Sequence, residues 1–214
     1  MNLFRILGDL SHLVSVLILL NAIIKARSIS GISFKTQLLY SIVFMTRYID
    51  LFFRYVSLYN TLMKVFFIGS SNYILYLMIF KHNYLKSQQP TFDEFKIEYL
   101  LIGSAITSLI FNYGYNFTEI LWSFSIWLES VAIFPQLFML QRTGEAELLT
   151  THYIFALGIY RALYIPNWLW RYYMENHFDS IAVIAGIIQT LIYSDFFYIY
   201  YKKVIKGMNF KIPV

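Results

Sequence analysis

Four otherwise apolar stretches of this sequence carry ionisable side chains at helical spacing. Arg5, Asp9 and His12 fall at i, i+4 and i+7. Arg47, Asp50 and Arg54 fall at i, i+3 and i+7; Glu119, Trp122 and Glu129 at i, i+3 and i+10. Arg161, Tyr164, Trp168 and Arg171 follow i, i+3, i+7 and i+10. On a helix each set forms a single stripe. An ionisable residue within an apolar span is costly and marks a functional-site hypothesis. Lipid cannot be what four such stripes face.

Arg5, Arg47, Arg161 and Arg171 outnumber the acids expected to share the middle of the molecule, Glu129 and Asp50. The planar guanidinium fork suits carboxylates and phosphates bidentately. Tyr48, Tyr160, Tyr164, Asn167, Trp122 and Trp168 would add hydroxyl, amide and ring contacts. The residues therefore point to a small polyanionic ligand, with Glu119 and Asp50 near the mouth for a cationic end. His12 shares the stripe of Arg5 and, with an unperturbed pKa of about 6.5, is the candidate pH-responsive group. A structural reading stands beside this one: Arg–Glu pairs that tie helices together account for any one of these residues, and a lone His in a span is commonly a core residue. Tyr172 and Tyr173 read as interfacial belt. Asn116-Phe-Thr is a glycosylation sequon, but it abuts the fifth apolar segment and is expected to lie too close to the membrane for use.

Such stripes require helices that cross a membrane. The 214 residues are 58% hydrophobic, 20% aromatic and 14% charged, whereas soluble domains are about 45–50% apolar and about 25% charged. The sequence predicts an all-α membrane protein with seven spans, at about 4–24, 36–54, 59–80, 97–113, 118–140, 150–172 and 179–201. Loops are short, so 1–214 reads as one transmembrane domain. Arg5, Asp9 and His12 within the first apolar run argue against a cleaved signal peptide. Lys25, Arg27, Lys35, Lys81, Lys86, Lys96, Arg142, Lys202, Lys203, Lys206 and Lys211 would share one side with the C-terminus. That side is then cytosolic and the N-terminus luminal, with the stripe charges crowding the luminal half as a cavity open to the lumen requires. Segments two and six each run from a Gly (Gly31, Gly144) to an Arg (Arg47, Arg161), which fits a 3+1+3 parallel repeat of a transporter-like plan. Basic loops in such a chain are topology signals, so no nucleic-acid partner is expected. The absence of cysteine excludes disulfides and thiol chemistry, and without a Gly-rich phosphate loop no cofactor or metal is expected. The last residues, KIPV, are not a retention tetrapeptide of the chain's own.

FRILGDLSHL, GISFKTQLLY, TRYIDLF, SLYN, WSFSIWLESVAIFPQLFML, THYIFALGIYRALYIPNW and SDFFYIYY, taken together and in order along essentially the whole chain, resemble the KDEL/HDEL receptors, which retain ER luminal proteins. YIPNW and YSDFFYIYY point to the fungal branch. The resemblance implies a fold similar to PQ-loop and sugar-efflux transporters, with Pro135-Gln136 matching the PQ dipeptide. It implies a Golgi and ER membrane protein that binds C-terminal His/Lys-Asp-Glu-Leu peptides in the acidic Golgi and returns them to the ER in COPI vesicles. The carboxylates of that peptide are the polyanion the arginines call for. By motif, Arg5, Arg47 and Arg171 hold them, with Tyr48 at the terminus, while Glu119, Asp50 and Trp122 meet the residue four from the end. Tyr164, Asn167 and Trp168 line the site. Tyr160, Arg161 and Glu129 form the network coupled to His12. Lys203 and Lys206 resemble the COPI signal, and Glu145 and Glu147 an acidic patch for ER exit through the COPII machinery. Arg54 departs from the small polar residue common in the family, which implies tolerance of an acidic residue four from the end.

Two other functions compete. A small-solute transporter of the sugar type would need polar groups reaching both faces, whereas these favour one. A hydrolase built on His12, Asp9 and Glu129 lacks a nucleophile and metal-ligand spacing, so no enzyme is expected.

Overall fold

Helices supply the regular elements among the residues that the computed structural model describes, 2–26, 29–86, 89–143 and 148–201, and no strand occurs among them. In chain order they are α1 (Leu3–Ala26), α2 (Phe34–Arg47), a 3-10 turn (Ile49–Phe52), α3 (Leu58–Tyr76) continuing into a π turn (Leu77–Lys81), a 3-10 turn (Tyr84–Lys86), α4 (Gln89–Phe92), α5 (Glu98–Ile110), α6 (Phe117–Val131), α7 (Phe134–Thr143), α8 (Leu148–Glu175) and α9 (Ser180–Tyr200). Among the described residues four stretches are long and apolar enough to cross a membrane: Leu3–Lys25, Leu58–Lys81, Phe117–Arg142 and Ser180–Tyr198. Glu98–Ile110 is apolar but shorter. Packing divides the chain into two units, one drawn from Met1–Gly31 with Leu140–Val214 and the other Ile32–Met139.

In the first unit α1 lies along α8, and α8 also packs against α9. Small residues make both approaches possible. A Cβ on Gly8 would lie 2.8 Å from the Tyr164 ring, one on Gly158 would lie 2.5 Å from Phe197, and one on Gly186 would lie 2.0 Å from Trp168. Glycine is therefore needed at these three crossings, where aromatic rings of one helix fill the space beside the backbone of another. Leu19, Ile23, Ile154, Leu157 and Tyr193 complete the fully buried core. Pro166 sits inside α8, where it supplies no N–H to the carbonyl four residues earlier.

In the second unit α2 packs on α3 and α6, and α5 on α6. Leu39, Tyr40, Val43 and Phe44 give α2 its buried stripe, with Phe44 stacked on Phe67 of α3 at 5.2 Å between ring centroids. The start of α2 is a polar knot. Ser33 caps the helix by accepting from the Thr36 N–H, and its hydroxyl donates to Asp93 Oδ1 at 2.8 Å. The Lys35 N–H donates to Asp93 Oδ2 at 3.0 Å, and Tyr84 donates its hydroxyl to the same oxygen at 3.4 Å. Gln136 Oε1 accepts from the Ser33 N–H at 2.8 Å, while the Gln136 N–H donates to Thr36 Oγ1 at 2.9 Å. The Gln of the PQ dipeptide thus satisfies a helix-start donor that would otherwise be orphaned.

Two elements differ from the sequence expectation. The apolar run 118–140 forms two helices, α6 and α7, separated at Ala132–Ile133. Pro135 is the cause: it fits the first turn of α7 but cannot extend the hydrogen-bond ladder of α6. Segment two also stops early. Tyr48 leaves helical geometry (φ −103°, ψ 19°) and closes α2 with its N–H on the Phe44 carbonyl. Asp50 then lies in a 3-10 turn and Arg54 beyond it, so Arg47, Asp50 and Arg54 do not form the expected stripe.

The Tyr84 phenol is pushed up from its ordinary value by burial first, and then by the charge of Asp93 and the hydrogen bond to it. Folding hence favours the protonated phenol. That contribution is complete below an ordinary tyrosine pKa of about 10 and is lost as the pH rises through the raised value. Asp93→Ala leaves the Ser33 and Tyr84 hydroxyls and the Lys35 N–H without their acceptor. Thermal unfolding in detergent should show a loss of about 2–4 kcal/mol, with Asp93→Asn losing less, and Tyr84→Phe should be less sensitive than the parent to alkaline pH.

Candidate functional site

Arg47 ends the last turn of α2, where its guanidinium faces α6. It forms an ion pair with the fully buried Glu129. Its Nε donates to Ser125 Oγ at 3.1 Å and its NH2 group to the Ser125 carbonyl at 3.0 Å. Ser125 in turn donates to the Trp122 carbonyl at 2.6 Å. A guanidinium that cannot be deprotonated is therefore held by one carboxylate and two neutral acceptors on one helix. Residues 122, 125 and 129 recur every three or four positions, so one face of α6 serves the whole contact.

Tyr48, Asp50 and Lys64 form a second group in the same unit. Lys64 Nζ donates to Asp50 Oδ2 at 2.6 Å and lies 5.9 Å from the centre of the Tyr48 ring. Lys64 comes from α3, is buried, and was not among the residues the sequence pattern singled out. Its signal was legible: one lysine within SLYNTLMKVFFIG, in an apolar run. Glu119 opens α6 in its first turn, where a carboxylate is favoured by the helix dipole. Trp122 packs its ring 6.0 Å from Tyr113.

The remaining residues gather in the other unit. His12 stacks on Tyr160 with ring centroids 4.2 Å apart and an interplanar angle of 10°; it is buried. The Arg161 guanidinium lies 5.0 Å from the Tyr160 ring and 5.9 Å from that of Tyr164. Tyr160, Tyr164 and Trp168 form an edge-to-face ladder along α8, with successive centroids 6.0 Å apart. Tyr164 donates its hydroxyl to Asp9 at 2.5 Å. Asn167 is buried and accepts from the Asn2 amide at 2.8 Å. Arg5 reaches Asp9 at 4.0 Å, and Arg171 reaches Glu175 at 3.0 Å, both one turn apart along their own helix and both partly exposed.

Arg5, His12, Tyr160, Arg161, Tyr164, Asn167, Trp168 and Arg171 thus belong to one unit, where His12, Tyr160, Arg161, Tyr164 and Trp168 touch in succession. Arg47, Tyr48, Asp50, Glu119, Trp122 and Glu129 belong to the other, where Arg47 meets Glu129 and Lys64 links Asp50 to Tyr48. Ser125, Lys64, Asn2 and Glu175 are the partners that pattern alone did not supply. Serine and asparagine carry no charge to mark them, and Glu175 lies beyond the apolar run. Gly144, Glu145, Glu147, Arg27, Lys202, Lys203, Lys206 and Lys211 lie outside the described residues. Among the described residues no group of three His, Asp or Glu is placed to hold a metal ion.

A family model described as ER lumen protein retaining receptor matches residues 28–171. The ER lumen protein-retaining receptors of Kluyveromyces lactis and Saccharomyces cerevisiae are each 58% identical to the chain, covering all of it and 99% and 100% of their own lengths. The human ER lumen protein-retaining receptor 2 is 52% identical over the full length of both.

Removing Glu129 should strand the Arg47 charge. Glu129→Ala is expected to destabilise the ligand-free protein by about 3–5 kcal/mol, read as a fall in unfolding temperature in detergent. Glu129→Gln, which keeps an acceptor oxygen, should cost less.

Proposed function

Because the chain belongs to the ER lumen protein-retaining receptor family, we propose that it binds the C-terminal HDEL or KDEL tetrapeptide of escaped ER luminal proteins in the Golgi and returns them to the ER. The family is one of receptors rather than enzymes, and relatedness over the whole chain gives the transporter reading no support. The reading includes seven crossings, with the N-terminus luminal and the C-terminus cytosolic. The four candidate spans would be joined by α2 with its 3-10 turn, α5 and α8, in a plan similar to PQ-loop transporters. Lys203 and Lys206 would present the COPI signal, and Glu145 and Glu147 the acidic patch for export.

One observation carries the ligand assignment. Arg5, Arg47 and Arg171 each already engage a carboxylate, from Asp9, Glu129 and Glu175. The tetrapeptide brings three carboxylates of its own: two side chains and the terminus. Exposed pairs such as Arg5–Asp9 and Arg171–Glu175 are worth about 0–1 kcal/mol, so an incoming carboxylate displaces them at little cost. The Arg47–Glu129 pair is buried, and giving up either partner is costly. Arg47 is thus the guarded member of the three. Tyr48 would serve the terminal carboxylate and Tyr164, Asn167 and Trp168 the peptide's body. Asp50, Glu119 and Trp122 would serve its amino-terminal residue.

His12, stacked on Tyr160 beside Arg161, supplies the pH response in this reading. An imidazolium adds positive charge where a polyanion binds, so affinity rises as the pH falls through the imidazole's titration range. Capture in the acidic Golgi and release in the neutral ER follow from that sign. Peptide-binding titrations at two pH values check it: His12→Ala should flatten the pH dependence, and an unchanged slope would remove His12 from the role. Arg5→Ala should weaken HDEL-peptide binding by about 2–5 kcal/mol. A loss below tenfold would make Arg5 structural, and equal binding of a C-terminally amidated peptide would sink the ligand assignment itself.

A further inference from the structure

The 3-10 turn after α2 ends in an exposed aromatic stretch, residues 52–56. Phe52, Phe53 and Tyr55 are 79%, 80% and 74% exposed, so the rest of the chain covers little of them. Arg54 stands among these rings, exposed and with no side-chain partner among the described residues. The crossing made by α3 starts two residues further on, at Leu58. Leu58, Leu62, Val65, Tyr73, Tyr76 and Phe80 form one exposed stripe along that helix, at the spacing of a single face.

A second turn at the same end of the unit repeats the pattern. Gln136, just past α6, meets Ser33 and Thr36 at the start of α2, whereas Arg47 at its end meets Ser125 and Glu129 within α6. The two helices are therefore antiparallel, and the end of α2 points the same way as the start of α6. The turn leading into α6 exposes Tyr113, Tyr115 and Phe117.

Neither water nor the bilayer core suits residues 52–56. In water they would present a contiguous apolar patch of the kind that marks an interaction site. In hydrocarbon Arg54 would lie without a counter-charge, at high cost. The headgroup layer satisfies both needs: aromatic rings settle where acyl chains meet water, and a planar guanidinium bonds a phosphate through two N–H groups.

We infer that residues 52–56 are an interfacial anchor: Phe52, Phe53 and Tyr55 seat in the leaflet at this end of the unit, and Arg54 holds a phospholipid phosphate. The occupant is lipid rather than a protein because the stretch leads straight into a membrane crossing and so reaches the headgroup layer. In the orientation proposed above that leaflet is the luminal one, but the anchor needs neither the peptide nor its site. The Phe53 and Arg54 N–H groups both donate to the Asp50 carbonyl, at 3.0 and 2.8 Å. The leaflet therefore steadies that turn from outside the protein.

The chain contains no cysteine, so one introduced cysteine carries one nitroxide. The test uses the full-length protein in phosphatidylcholine nanodiscs, without peptide, labelled in separate variants. Phe53→Cys is the probe, Val65→Cys the lipid-facing reference and Glu94→Cys the aqueous one. Collisions of the label with oxygen, which partitions into lipid, are compared with collisions with a water-soluble nickel chelate. The oxygen-to-nickel ratio at 53 should lie between the two references and several-fold above the aqueous one. A ratio equal to that of Glu94→Cys would put the stretch in water, leave a protein as the occupant of the rings and overturn the inference. A ratio equal to that of Val65→Cys would overturn it too, since Arg54 would then lie below the phosphates. If Phe53→Cys does not fold, Tyr55→Cys takes its place with the same readout. Native mass spectrometry reads the phosphate separately: the parent should retain more phospholipid than Arg54→Gln, and the difference should vanish in a phosphate-free glycolipid. Equal retention of phospholipid by the two proteins would overturn the assignment of Arg54.

Discussion

An arginine in an apolar helix keeps its charge at any pH the protein meets, so the fold has to build a counter-charge around it. At Arg47 that requirement is met by Glu129 and Ser125 on a single face of α6, and it decides which helix α2 must lie against. The same rule repeats at smaller scale. Lys64 turns to Asp50, Tyr164 to Asp9, and Asn2 to Asn167. Hydrophobic burial cannot choose among apolar faces in a lipid setting, where the surroundings are as apolar as the core. The polar pairs supply that choice, and the helices are placed by what their few charged residues need.

Close approach then depends on what stands opposite the aromatic residues. Trp168 occupies the place a side chain at Gly186 would take, the Tyr164 ring does so at Gly8, and Phe197 at Gly158. Tyr164 and Trp168 lie three and seven residues beyond Arg161 on α8, so the chemistry and the packing of that helix share one set of side chains. Small residues at helix contacts in membranes serve this purpose generally. Here they also fix the edge-to-face ladder of Tyr160, Tyr164 and Trp168.

Much of this was legible in the sequence because charge is conspicuous in an apolar run. Arg5, Asp9, His12, Arg161 and Arg171 announce themselves by type and helical spacing, and α1 and α8 place them as that spacing implies. What spacing could not reveal were the helix ends. The turn at Tyr48 and the break before Pro135 depend on local geometry, and the first of these removed Asp50 and Arg54 from the stripe of Arg47. Neutral partners were also hidden: Ser125 and Asn2 look like ordinary residues until a charge is seen to need them. Lys64 stands out as the one lysine of its apolar run, but only the fold puts Asp50 beside it. The knot of Ser33, Asp93 and Gln136 joins residues far apart in the chain, and no local pattern encodes such a pairing.

The pairing of α1 with α8 also has a bearing on how the chain is made. The hydroxyl of Ser11 bonds to a carbonyl 145 residues further on, Asp9 to a phenol 155 further on, and Asn2 to an amide 165 further on. At roughly 5–20 residues per second, α1 is synthesised on the order of ten seconds before the helix that completes it exists. Throughout that interval Asp9 and His12 stand in α1 without the Tyr164 hydroxyl and the Tyr160 ring that α8 supplies to them. The nascent helix must therefore be held in a polar or partly hydrated place until α8 arrives, and a defect in α8 would be felt first as the failure of α1 to settle.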